Sequence, residues 1–117
     1  MNMGGPYICS VYLGDKFIAN KCIFGNFIYS EALDAIFFVR ARIKWVFTIC
    51  FYSIKNDQLY EFAKGFDIVF IKQFTHTHLL EIYHAFHDKL PERKDVFDID
   101  EEPFIDINIS DYEKSND

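Results

Sequence analysis

Thr77-His78-Leu79-Leu80-Glu81-Ile82-Tyr83-His84-Ala85-Phe86-His87-Asp88-Lys89-Leu90-Pro91 is the stretch on which the fold class turns. Its apolar positions Leu79, Ile82, Tyr83, Phe86 and Leu90 recur at helical spacing. Thr75 or Thr77 is placed to cap the first turn, and Pro91 stops the pattern. The spacing predicts one main helix over about 77–90.

On either side of this stretch the period is that of a strand. Tyr7 to Leu13 and Lys16 to Phe24 are β-branched and aromatic runs joined by Gly14-Asp15, a pair suited to the positive φ of a hairpin turn. In the simplest register Val11 faces Ile18, and Cys9 lies diagonal to Cys22. Gly25-Asn26 reads as the next turn. Ser30 to Asp34 reads as a short turn before a strand beginning at Ala35. Lys44 to Ile54 is apolar on both faces, with Trp45, Phe47, Ile49 and Phe51 on one and Val46, Thr48, Cys50 and Tyr52 on the other, so it is expected to be central. Lys55-Asn56-Asp57 turns the chain. Gln58 to Phe62 and Phe66 to Lys72 follow as strands, with a bulge or bend at Gly65. Beyond the predicted helix, Phe97 and Ile99 alternate with Asp98 and Asp100, and Ile105, Ile107 and Ile109 alternate with Asp106, Asn108 and Ser110.

The expected class is therefore α+β: a twisted antiparallel meander of about six to seven strands with one helix covering one sheet face. The 117 residues fit a single globular domain over 1–117, with 1–5 and 112–117 expected to be flexible. Its other sheet face, rich in Phe and Tyr, is expected to be partly open, which leaves a homodimer available. Cys9, Cys22 and Cys50 are an odd number with no C-x-x-C pair, and read as buried free thiols of a cytoplasmic protein. The first residues lack the basic and apolar regions of a secretion signal. The apolar region 35–54 carries Arg40, Arg42 and Lys44, so no membrane span is expected.

Charge is unevenly spread. Residues 88–117 hold eleven Asp/Glu against four Lys/Arg, whereas 1–87 hold seven against eight. Such an anionic edge repels nucleic-acid backbones and attracts cationic proteins. The residues expected to carry that contact are Asp95, Asp98, Asp100, Glu101, Glu102 and Asp106. Their apolar neighbours should fix them on a folded surface instead of a loose tail.

No motif for catalysis stands out, so the chain is not expected to be an enzyme. No cofactor and no metal ligand set is expected either. Two constellations carry possible metal chemistry. His76-Thr77-His78 resembles the His-hydrophobic-His motif of rolling-circle replication endonucleases, which implies a divalent metal on two imidazoles and a tyrosine nucleophile such as Tyr83 or Tyr112. Thr77 departs from that motif, and the body has no basic groove for DNA. His84, His87 and Asp88 lie within one turn of the predicted helix, too few ligands for zinc. Arg40, Arg42 and Lys44, beside Trp45, read as a solvated cationic hairpin edge.

In size, charge layout and lack of catalytic residues, the chain resembles the immunity proteins that neutralise bacterial polymorphic toxins, nucleases in particular. That resemblance implies a basic protein partner, a toxin domain whose cationic cleft is occluded by the acids. The alternative expectation is a viral or phage inhibitor of a host nucleic-acid-binding or defence protein. A metal-dependent nuclease of the His-x-His type is a third.

Overall fold

The computed structural model describes residues 8–43, 46–67, 69–84 and 93–115. They form nine strands and one short helix: β1 (Ile8–Leu13), β2 (Lys16–Ser30), β3 (Ala35–Ile43), β4 (Val46–Ser53), β5 (Gln58–Phe66), β6 (Val69–His76), β7 (Leu79–His84), β8 (Arg93–Asp98), β9 (Phe104–Ile107) and α1 (Ile109–Ser115). All pairings are antiparallel. A six-stranded sheet runs β1-β2-β3-β4-β5-β9, and a three-stranded sheet runs β6-β7-β8.

The expected main helix is corrected by this architecture. Residues 79–84 are the middle strand of the small sheet, and 85–90 lie outside the described residues. The helical spacing of Leu79, Ile82 and Tyr83 coexists with an alternation in which Leu80 and Ile82 point into the core while Glu81 leaves by the opposite face. Pairing on both sides decides between the two. β7 satisfies its backbone groups against β6 and β8 at once, which an isolated short helix cannot match. The described residues are thus mainly antiparallel β, with one short helix.

The small sheet, in place of a helix, covers one face of the large one. Phe37, Val39, Ile49 and Phe62 from the large sheet pack with Val69, Leu80, Ile82 and Phe97 from the small one. The Phe62 ring meets Phe97 edge-on at 4.8 Å, Phe51 at 5.4 Å and Phe104 at 5.6 Å. Asn26 adds a polar staple: its Nδ2 donates to the Val69 carbonyl at 2.9 Å, and its Oδ1 accepts from the Ile71 amide at 2.9 Å. This explains Gly25-Asn26, which is no turn. Strand β2 runs on through it, Gly25 takes φ +78°, and the register with β3 shifts between Cys22 and Phe27. The resulting bulge accompanies the aim of the buried Asn26 at the edge of β6.

The opposite face of the large sheet is covered in part. Ile18, Ala19, Cys22, Phe38, Cys50, Tyr52 and Leu59 form a second core, against which Ile109 and Tyr112 of α1 pack. The helix α1, which the strand-like spacing of Ile105, Ile107 and Ile109 concealed, covers part of this face; the rest stays open as expected, with Phe27 62% and Tyr29 50% exposed on it. Asn108 caps α1, its Oδ1 accepting from the Ser110 amide at 3.1 Å. Of the segment 112–117, residues up to Ser115 are helical. Residues 1–5, 116 and 117 lie outside the described residues.

A polar network latches α1 in place. The Arg40 guanidinium stacks 3.4 Å from the Tyr112 ring centre and donates from Nε to the Asn20 carbonyl at 2.8 Å and from Nη2 to Asn20 Oδ1 at 2.7 Å. Asn20 Nδ2 donates to the Tyr112 carbonyl at 2.8 Å, and the Tyr112 hydroxyl donates to Glu61 Oε1. Arg42 Nε holds Glu61 Oε2 at 3.2 Å. Arg40 and Arg42 are thus interior or half-buried partners of the latch on β3, not a solvated hairpin edge; Lys44 and Trp45 lie outside the described residues. Burial first, then the bond to Glu61, pushes the Tyr112 hydroxyl well above the usual phenol range.

Other sequence expectations hold with local adjustments. Gly14 turns the first hairpin at φ +64°. Cys9 and Cys22, expected to be diagonal, are direct register partners, and Val11 pairs with Ala19 because the ladder shifts between Cys9 and Val11. All three thiols are free, with Cys22 and Cys50 buried and Cys9 half-buried. Strand β4 is central as expected. Gly65 marks a bulge, but β5 continues through it to Phe66. Among the described residues no helix is long and apolar enough to cross a membrane.

Candidate functional site: the acidic turn between the sheets

The connection from β8 to β9 carries the chain from the small sheet back to the large one. Its start is fixed by Asp98, whose carbonyl accepts the amides of Glu101 at 3.1 Å and Glu102 at 3.2 Å, while its Oδ1 accepts the Asp100 amide at 3.0 Å. Its end is fixed by Pro103, whose carbonyl accepts the Ala63 amide at 2.9 Å from β5. Asp98, Asp100, Glu101 and Glu102 therefore sit on one tight, pinned turn. Among the described residues, the Lys and Arg ion pairs are Lys16–Asp57, Arg42–Glu61 and Lys94–Glu81, and none engages these four acids.

The two remaining expected acids are placed differently. Asp95 lies on β8 opposite Ile82, and the pleat sends it to the Phe97 side of the sheet, away from the side of Asp98. Asp106 lies on edge strand β9 opposite Tyr60, where it lines an open groove with Lys16, Asp57 and Asn108. The six carboxylates thus make a compact group of four with one outlier on each flanking strand. Both flanking strands are ladder-paired, β8 to β7 and β9 to β5.

Exposed apolar side chains flank the turn. Val96 is 51% exposed, Phe104 44% and Ile105 60%. Ile105 and Ile107 share one face of β9, but only Ile107 packs on a core; Ile105 lies opposite Glu61 and stays exposed.

The histidines separate. His76 ends β6 and pairs with Leu79 in the register, and Thr77-His78 forms the tight link to β7. His78 is drawn to the acidic turn, where its carbonyl accepts the Ile99 amide at 3.0 Å. One ligand atom each from His78, Asp98 and Asp100 lies within 4.8 Å of the others. His76 is not a member of that group. His84 lies on β7, and His87 and Asp88 fall outside the described residues. Sequence reasoning missed His78 as a neighbour of Asp98, because only the β7–β8 register, with Leu79 opposite Asp98, brings the two turns together.

Comparison with known proteins returns no matching family model, no matching curated protein and no matching solved structure.

Proposed function

We propose that this chain is a non-catalytic, cytoplasmic inhibitor that docks its acidic turn on the basic surface of a partner protein, in the manner of an immunity protein occluding the cationic cleft of a nuclease toxin. One observation carries the reading: four carboxylates without Lys or Arg ion pairs among the described residues are held on a pinned turn beside exposed Val96, Phe104 and Ile105. Fixed like charges repel one another, and a cationic partner relieves that cost. The neighbouring apolar groups supply area that loses water on contact, which charge alone does not provide. Preorganised charge of this kind chiefly raises the rate of encounter.

The test is a pull-down from the native host with the wild-type chain and with an Asp100→Lys/Glu101→Lys variant, followed by association kinetics against the retained protein. Both substituted side chains are exposed, so the fold should persist. The expected partner is basic, its association slows steeply with added salt, and charge reversal lowers the on-rate by about tenfold or more. A partner bound equally well by the variant, at a salt-independent rate, would refute the reading.

A further inference from the structure

We infer that His78, Asp98 and Asp100 form a binding site for a first-row divalent cation of the zinc class. The three ligand atoms come from two separate turns, and lie within 4.8 Å of one another. Backbone pairing sets this proximity: Leu79 faces Asp98 in the ladder, and the Ile99 amide bonds the His78 carbonyl at 3.0 Å. The imidazole and both carboxylates are therefore delivered together by the main chain, not by a chance meeting of long side chains.

The donor set selects the ion. Zinc binds imidazole nitrogen and carboxylate oxygen at about 2.0–2.2 Å, so ligands of one ion stand no more than about 4 Å apart. Closing from the observed spacing takes small rotations about side-chain bonds, which the exposed Asp100 and half-buried His78 permit. A nitrogen donor favours zinc and its neighbours over magnesium and calcium, which prefer all-oxygen shells. Three protein ligands leave at least one position to water.

Electrostatics supports the assignment. Asp98 and Asp100 bring two negative charges side by side, and no Lys or Arg among the described residues pairs with either. A divalent cation neutralises both and ties the β6–β7 turn to the β8–β9 turn. The imidazole distinguishes this constellation from an acidic patch, because a patch built only for solubility or steering gains nothing from a nitrogen ligand aimed at it.

The experiment is a calorimetric titration of the chelator-treated 117-residue chain with zinc chloride, with magnesium chloride in parallel and thermal melting with and without zinc. Expected are one equivalent of bound zinc, reversal by chelator, a higher melting temperature with zinc, and much weaker response to magnesium. Asp100→Asn and His78→Gln should each weaken zinc binding by about tenfold or more, since even supporting residues of metal sites have effects of that size. Asp100 is exposed, so its variant should fold even if a change at His78 disturbs the turn. His76→Gln should bind as the wild type does. No zinc binding, or binding unchanged by Asp100→Asn and lost with His76→Gln, would overturn the inference. The titration uses the chain alone, so its outcome is separate from that of the partner experiment.

Discussion

The face of the large sheet that meets the small sheet is filled by interlocking rings, whereas the face beneath α1 mixes small and large apolar side chains with a polar network. On the first, Phe37, Phe51, Phe62, Phe97 and Phe104 interlock with edge-on and stacked geometry. On the second, Ala19, Cys22 and Cys50 leave room for α1 to approach, and Arg40, Asn20, Tyr112 and Glu61 fix it by hydrogen bonds. A ring interface loses stability in proportion to the volume removed from it. A polar latch is sensitive to single atoms, because a buried donor or acceptor left alone costs more than the bond itself was worth.

The largest effect should come from the ring side. Phe62→Ala removes the side chain shared by both sheets, and is expected to cost about 3–5 kcal/mol in urea unfolding. A loss below about 1 kcal/mol would mean the sheets are not joined through these rings.

On the latch side, Tyr112→Phe keeps the ring under Arg40 but removes the hydroxyl that serves Glu61. The expected cost is smaller, about 1–3 kcal/mol. Its signature is local: Cys22 and Cys50, beneath α1, should react faster with a thiol reagent than in the wild type, while Phe62→Ala should accelerate them only through global unfolding. Equal labelling in Tyr112→Phe and wild type would show that the hydroxyl does not hold the helix down.

The smallest effect is a pH dependence confined to the latch side. Burial pushes the Cys22 thiol up to about 12 from an ordinary 9.0, with Arg40 opposing. A raised folded-state value means that this contribution is complete below pH 9 and is lost as pH rises through 12, since the unfolded chain releases its proton first. Between pH 8 and 9.5 the expected loss for this thiol is under about 1 kcal/mol, measured as a shift in urea midpoint. Tyr112, raised in the same direction, extends the loss to higher pH, and Tyr112→Phe should blunt that later part.

Local chemistry made some of the fold legible. The first hairpin, the central strand β4 and the bulge at Gly65 followed from turn residues and two-residue alternation, signals that act within a few positions. Two turns even repeat one device: Tyr29-Ser30 before Asp34 and Tyr52-Ser53 before Asp57, with each tyrosine hydroxyl donating to the aspartate and each serine Oγ accepting an amide three residues on. That repeat is visible in the sequence once its hydrogen bonds are known. What was illegible depended on distant partners. Leu79 to Tyr83 fits both periods, and β6 and β8 decided it. Gly25-Asn26 looked like a turn because its partner, the backbone of β6, lies more than forty residues away. Within the site, Asp98 and Asp100 were readable from alternation and charge, while His78 required the strand register.

The small sheet leaves the large one after Phe66 and returns at Phe104, and β9 then docks beside β5, the strand from which the chain departed. An excursion whose exit and re-entry are neighbours imposes an order of assembly. Strand β9 closes against β5 only once everything between has compacted, because pairing across so long an intervening segment carries a large entropic penalty until then. The meander β1 to β5 has no such dependence. In refolding, the meander should gain protection from hydrogen exchange early, and the β5–β9 ladder should be among the last to do so.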